Sequence, residues 1–328
     1  MKVSVLGAGS WGTALSIHLE RAGHDVTLWG RNADVVGRIQ SDRTHPTRLT
    51  GIPIPEGVRL TTDLSDAFRN SETLVLAVPC ASLRSLLQSC PTSEGAPLRF
   101  VSTGKGIEPE SLKRMSEVIR EYHRGAPVVA LSGPTFAEGV ARGDPSAAVI
   151  AGDDGELAQY VQKEFSTAQL RLYTSDDLVG VELSGALKNV VAIAAGIVSG
   201  LGFGHNTLAA LVTRGLTEMG RIVRGWGGQE RTIHGLAGIG DLMLTCTGQQ
   251  SRNRRLGEEI GRGRKLADVL MNTPEVAEGA RTCVAVPTMA ARVGVEAPIA
   301  EAVVQVLYEG EAPGTAVERL MTRTLREE

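Results

Sequence analysis

The first thirteen residues constrain the fold most. Residues 1–6 form a short apolar run of strand-forming character, and Gly7-Ala8-Gly9-Ser10-Trp11-Gly12 follows with the spacing G-x-G-x-x-G. From Thr13 to Ala22, apolar side chains recur at Ala14, Leu15, Ile17, Leu19 and Ala22, with Ser16, His18, Glu20 and Arg21 between them. That spacing is compatible with an amphipathic helix. Strand, glycine turn and helix in this order match a dinucleotide-binding fingerprint. Gly7 permits the tight turn out of the strand, Gly9 lets the backbone approach a pyrophosphate, and Gly12 lets helix and strand sit close together. The N–H groups and partial positive charge of the helix start then face the phosphates. An ordinary glycine-rich turn is the competing reading.

A chain of 328 residues is long enough for two domains with well-buried cores. Its net charge of −3 shows no basic excess, which argues against nucleic acid as a partner. Cys80, Cys90, Cys246 and Cys283 have no C-x-x-C spacing, so no metal site and no redox pair is expected. No signal segment is read ahead of the first strand, and the longest largely apolar run, residues 190–203, is too short to span a bilayer. The expectation is a cytoplasmic chain without a membrane span.

Residues 25–29 read as a second strand. A carboxylate for the adenosine ribose usually stands at its end, but here Trp29-Gly30-Arg31-Asn32 offers an arginine instead. Arg31 can accept a 2′-phosphate and stack on adenine, which favours NADP over NAD; a surface loop arginine is the alternative. Pro46, Pro53 and Pro55 with Gly51 and Gly57 mark residues 41–57 as a loop. Residues 73–79 form a nearly continuous apolar run, as in a strand buried on both faces. Residues 99–102 and 128–131 read as further strands, 112–122 as a helix, and 147–151 and 170–173 as extensions of the sheet. The alternation predicts an α/β fold whose N-terminal part is a doubly wound parallel sheet, Rossmann-like. Beyond Asp177, helical stretches take over at about 178–200, 206–225, 252–262, 265–272, 282–293 and 298–308. The expected domains are a dinucleotide-binding part, 1–177, and an all-α C-terminal part, 178–328, for substrate and catalysis.

Five stretches carry candidate chemistry. Thr103-Gly104-Lys105-Gly106 follows a strand end, where ligands gather in open α/β sheets, so Lys105 can meet an anion or a carbonyl oxygen. Ser132-Gly133-Pro134-Thr135 follows another strand end and can present backbone N–H groups. An exposed loop lysine and a plain turn are the alternatives. Lys188 sits in a helix beside Ser184, Gly185, Val191, Ala192 and Ala195, which leave room for a ligand. Partial burial would lower its pKa and suit it to proton transfer, unless it snorkels to the surface. Asp241 is an isolated carboxylate in the apolar, glycine-rich segment 235–244 and needs a partner. Lys188 is the candidate, and a helix cap competes. Ser251 can cap the next helix, while Arg252, Arg254 and Arg255 oppose its dipole. A bound phosphate would relieve that conflict; a solvated basic turn is the other reading.

Together these motifs closely resemble the bacterial NAD(P)-dependent glycerol-3-phosphate dehydrogenases. The likeness runs through GAGSWGTA from Gly7, STGKGIE from Ser102, SGPTFA from Ser132, LSGALKNV from Leu183, GLAGIGDLMLTC from Gly235, QSRNRRLG from Gln250 and VAEGARTC from Val276. The resemblance implies an oxidoreductase that interconverts dihydroxyacetone phosphate and sn-glycerol 3-phosphate with NADPH or NADH, supplying glycerophospholipid synthesis. It implies Lys188 as proton donor or acceptor at the carbon-2 oxygen, oriented by Asp241. Lys105 would touch substrate and cofactor, Gly133 and Thr135 would line the substrate site, and Ser251, Arg252 and Asn253 would hold the phosphate end. Cofactor contacts would fall at Gly7, Gly9, Ser10, Trp11, Gly12, Arg31, Lys105, Ala137, Arg252, Val276 and Glu278. Arg48-Leu49-Thr50 stands where family members often read Tyr-Leu-Pro, a departure on the adenine side. A 6-phosphogluconate-type β-hydroxyacid dehydrogenase and a non-catalytic nucleotide sensor are the alternatives, and a homodimer is a candidate assembly.

Overall fold

Apolar side chains covered on both faces decide the centre of the first unit. The computed structural model describes residues 1–69, 71–90, 98–272 and 277–324. Strands β1 (Lys2–Leu6), β2 (Asp25–Trp29), β3 (Arg59–Thr61), β4 (Thr73–Leu76), β5 (Arg99–Ser102), β6 (Val128–Ser132), β7 (Ser146–Gly152) and β8 (Leu170–Ser175) form one sheet. Their order is β3-β2-β1-β4-β5-β6-β7-β8. Every residue of β4 and of β6 is buried, which explains their unbroken apolar runs. The chain winds outward from β1 to β3, then returns to β4 on the other side of β1. That reversal between β1 and β4 is where an open α/β sheet leaves a crevice at the carboxyl ends of its strands.

The sheet is mostly parallel, with one exception to the expected pattern. β7 runs antiparallel to β6, with Val129 opposite Gly152 and Ser132 opposite Val149, while β8 is parallel to β7. The link from β6 to β7 holds only the short helix Ala137–Arg142, and β7 starts at the edge where β6 ends. Apolar patterning reports burial, not direction, so the sequence carries no sign of this reversal. β3 escapes notice for another reason: its three residues include one apolar side chain, Leu60. The helix expected over 112–122 begins at Met115, because Leu112 holds φ 59° and the Glu117 carboxylate accepts the Arg114 N–H as its cap. The segment expected as a loop over 41–57 starts inside the helix Ala33–Asp42. It is closed further on by a bridge between Thr44 and Pro53.

Two compact units result. One comprises Met1–Gly104 and Lys113–Glu182, the other Lys105–Leu112 and Leu183–Glu328. An eight-residue excursion from the first half of the chain therefore belongs to the helical unit. That unit contains the helices His205–Gly225, Arg252–Gly261, Glu278–Arg292, Pro298–Tyr308 and Pro313–Met321, with shorter turns between them. It also contains most of the helix Leu178–Gly200.

Most of the apolar run expected over 190–203 lies in this 23-residue helix, which ends at Gly200 and is long and apolar enough to cross a membrane by length and composition. Its most apolar window is entirely buried inside the fold, so burial rather than shortness distinguishes it from a span.

Two helices of this unit meet backbone to backbone. A Cβ on Gly196 would strike the carbonyl oxygen of Arg254, and one on Gly200 that of Glu258. From the other side, a Cβ on Gly257 would strike the carbonyl oxygen of Ile193, and one on Gly261 that of Ile197. Only glycine permits this approach, and it sets the register of Arg252–Gly261 along Leu178–Gly200.

Candidate active site

The glycine turn in the first unit has the shape a dinucleotide needs. Gly7 leaves β1 with φ 125°, and a Cβ there would lie 2.6 Å from the Ala77 carbonyl oxygen. Gly12 is held against Gly7, where a side chain would meet the Gly7 carbonyl. Around Gly9 the situation is opposite: a Cβ would meet nothing within 4 Å. Fold closure thus explains two of the glycines, whereas packing makes no such demand at the third. Gly9 stands at the N-cap of the helix Ser10–Arg21 with no side-chain cap, and the first turn holds no acidic residue. A pyrophosphate fits such a helix start. Ser10 and Trp11, the first two helical residues, are half-buried, and Arg31 is exposed after β2. Gly133, at the end of β6, has φ 148° and would clash with Ala148 Cα at 2.8 Å if it carried a side chain. The Thr135 N–H turns back onto its carbonyl at 2.8 Å, and Ala137 opens the following helix.

The second unit gathers the titratable groups. Asp241 opens the helix Asp241–Thr247 directly after a π-helical turn, Leu236–Gly240. The residue at the N-cap is Gly240, so the carboxylate is not a cap. It is 1% exposed and accepts two ammonium groups: Lys188 Nζ donates to Oδ1 at 2.8 Å and Lys105 Nζ to Oδ2 at 2.6 Å. Lys188 Nζ also donates to Thr245 Oγ1 at 2.6 Å. Lys188 is 5% exposed and does not snorkel. Burial lowers its pKa to about 8; the Asp241 charge opposes this shift and the Lys105 charge adds to it. Burial pushes the Asp241 carboxyl upward, yet Lys105 and Lys188 outweigh it and hold the carboxyl below its ordinary value. Cys246 lies in the same surroundings, and burial raises its thiol to about 12, so it stays protonated and unreactive.

A chain of amides braces this cluster. Gly279 N–H donates to Asn253 Oδ1 at 2.9 Å, Asn253 Nδ2 donates to Asn189 Oδ1 at 2.9 Å, and Asn189 Nδ2 donates to the Lys105 carbonyl at 2.9 Å. A Cβ at Gly279 would lie 2.6 Å from the Asn189 carbonyl oxygen, so glycine is required there too. Ser251 is buried and caps the helix Arg252–Gly261 by accepting the Arg254 N–H at 3.2 Å. Arg252 is half-buried at its first position, and Glu278 opens the helix that contains Gly279. Val276 lies outside the described residues. The structure therefore brings Lys105, Lys188 and Asp241 together and ties Asn253 to them through Asn189. It places the glycine fingerprint, Arg31, Gly133, Thr135 and Ala137 in the other unit. Sequence reasoning assigned no role to Asn189 or Thr245. The available signals were adjacency to Lys188 and the spacing of one helical turn from Asp241.

A fingerprint at the switch point of a mostly parallel sheet, with a buried amine held by a carboxylate in a helical unit, defines a pyridine-nucleotide-dependent dehydrogenase. The comparisons with known proteins narrow the class. Residues 2–158 match the family described as NAD-dependent glycerol-3-phosphate dehydrogenase N-terminus, and residues 177–318 match its C-terminus counterpart. The glycerol-3-phosphate dehydrogenase (NAD(P)+) of Koribacter versatilis is 47% identical over 327 residues, covering 98% of this chain and 97% of that protein. That of Syntrophotalea carbinolica is 45% identical, covering 100% and 99%. The crystal structure of glycerol-3-phosphate dehydrogenase from Coxiella burnetii superposes with a TM-score of 0.92 at 35% identity, covering 98% and 99%. The chain belongs to the NAD-dependent glycerol-3-phosphate dehydrogenase family. The 6-phosphogluconate-type reading falls away with this result.

Proposed function

We propose that the chain interconverts dihydroxyacetone phosphate and sn-glycerol 3-phosphate, with Lys188 exchanging the proton at the carbon-2 oxygen. The observation that carries this reading is the Lys188 amine itself, buried, gripped by Asp241 and Thr245, and brought to a pKa of about 8. NADPH or NADH, when bound, supplies the hydride to carbon 2. Two of the three Lys188 ammonium protons go to Asp241 and Thr245, which leaves the third for the substrate oxygen. As negative charge develops on that oxygen, the ammonium stabilises it and then donates its proton. Asp241 keeps the amine aimed, and Lys105 adds a second positive charge beside the same carboxylate.

In this reading Gly133 and Thr135 line the substrate site, while Ser251, Arg252 and Asn253 take the phosphate end. Gly7, Gly9, Ser10, Trp11, Gly12, Arg31, Lys105, Ala137, Arg252, Val276 and Glu278 take the cofactor. Residues 1–177 act as the dinucleotide-binding part, apart from Lys105–Leu112, which goes with the catalytic part, 178–328. Arg31, exposed where a ribose-binding carboxylate would otherwise stand, supports NADPH over NADH. A cytoplasmic homodimer feeding glycerophospholipid synthesis completes the proposal, and sedimentation equilibrium tests the dimer. Initial rates of NADPH and NADH oxidation, each with and without dihydroxyacetone phosphate, test the activity. Oxidation that depends on dihydroxyacetone phosphate is expected, faster with NADPH; no dependence on it with either cofactor would discard the reading.

A further inference from the structure

His45 reaches the glycine turn from the loop that follows the helix Ala33–Asp42. It is 5% exposed, and both ring nitrogens are engaged. The Thr47 N–H donates to Nδ1 at 3.2 Å, so Nδ1 carries a lone pair. Nε2 lies 3.0 Å from the Ala8 carbonyl oxygen, which can only accept, so Nε2 carries the proton. The Nδ1 contact excludes the imidazolium, and the Nε2 contact then selects the tautomer protonated at Nε2. Burial lowers the pKa of the ring and outweighs the Ala8 hydrogen bond, which raises it; the Arg48 charge adds to the lowering, and the neutral form is favoured. The loop itself is anchored at its base: Thr44 bridges Pro53, the Ile54 N–H donates to the Arg43 carbonyl at 2.7 Å, and Arg43 Nη1 donates to the Val58 carbonyl at 3.0 Å.

The Ala8 carbonyl belongs to the same peptide unit as the Gly9 N–H. That unit is planar and trans, so its C=O and N–H point in opposite directions. A tether on the carbonyl therefore aims the N–H away from His45. Gly9 precedes the first turn of the helix Ser10–Arg21, where backbone donors lack intrahelical acceptors. Its surroundings are open, with nothing within 4 Å of a Cβ placed there.

We infer that His45 is a positioning residue for the dinucleotide: by holding the Ala8 carbonyl, it orients the Ala8–Gly9 peptide so that the Gly9 N–H meets the pyrophosphate. This rests on the reading of the glycine turn as the cofactor site. The effect belongs to the phosphates, not to the adenosine end. A loop that merely shaped the adenine pocket would act on adenosine as well.

Calorimetric titration of the full chain with ADP and with adenosine separates these cases. In His45→Phe, ADP binding should weaken by about tenfold or more, as expected when a charge-assisted hydrogen bond is misaligned. Adenosine binding and the KM for dihydroxyacetone phosphate should hold. His45→Gln, whose amide N–H can reach the Ala8 carbonyl, should recover part of the ADP affinity. His45→Asn, polar but too short to reach, replaces the Phe variant if that chain does not fold. ADP binding unchanged in the Phe or Asn variant, or equal weakening of ADP and adenosine, would overturn the inference. A wild-type chain that binds no ADP would instead remove the cofactor reading beneath it.

Discussion

Lys188 is stable as a cation only because Asp241 sits 2.8 Å away, and it can lose its proton near neutrality only because it is buried. The two influences oppose each other, and their balance at about 8 yields a pH dependence with a definite sign. With Lys188 as the proposed proton carrier, reduction of dihydroxyacetone phosphate needs the ammonium, so its kcat/KM should fall as pH rises through about 8. Oxidation of sn-glycerol 3-phosphate then needs the neutral amine, so its kcat/KM should rise through the same region. Profiles that move in the same direction for both reactions would rule out Lys188 as the shared proton carrier. Lys188→Ala should lower kcat by roughly 10²–10⁴-fold, the usual range for a general acid–base group, with little change in cofactor affinity. Near-normal turnover in that variant would refute the assignment. The local part of this site was readable from residue types alone: a lysine among small neighbours and an acid among apolar ones. The approach of Lys105 was not, because it lies 136 residues from Asp241 and tertiary folding alone joins them. Thr245 and Asn189 went unassigned because a hydroxyl or amide inside a helix is commonplace, and only its neighbours give it a task.

At the scale of elements, the crossing of Leu178–Gly200 with Arg252–Gly261 leaves no room for a single methyl group. Gly257→Ala should destabilise the chain by roughly 1–3 kcal/mol, the usual penalty of overpacking, and more if the helices cannot separate. Urea unfolding measures it, and an unchanged midpoint would contradict the backbone contact. Another helix end has its own pH signature. Glu218 accepts the N–H groups of Ile299 and Ala300 at 2.9 and 3.0 Å, at the start of Pro298–Tyr308. Burial nevertheless pushes its carboxyl up to about 7 from an ordinary 4.5. A raised value means that this group's contribution is fully present below 4.5 and is lost as pH rises through about 7. The melting temperature of Glu218→Gln should therefore change less between pH 5 and 8 than that of the native chain; parallel curves would deny the shift. Elements with strong periodicity were legible, including the buried strands and the long helices. β3 was too short and polar to register, and the direction of β7 depends on how its connection returns, which no periodicity encodes.

For the molecule as a whole, folding and the proposed cofactor contacts make separable demands on the glycines. Gly7 and Gly12 are needed to close the fold, whereas Gly9 is surrounded by open space. Its backbone, at φ −88° and ψ −177°, also suits a β-branched residue. Gly9→Val should therefore melt only slightly below the native chain in the absence of ligand, the small loss reflecting a poorer helix N-cap. The native chain should gain about 2.7 kcal/mol at a hundredfold excess of NADPH over its Kd, read as a rise in melting temperature, and the variant should gain almost none. An unliganded variant that melts far lower would mean that Gly9 serves the fold after all.

The eight-residue loan of Lys105–Leu112 to the helical unit has a consequence for recombining such proteins. A hybrid spliced at Glu182 would inherit one of the two cations facing Asp241 from each parent. Parents whose loops differ at this stretch would produce chimaeras that fold and bind nucleotide yet turn over poorly. A working exchange has to transplant the loop together with the helices, although they are encoded far apart.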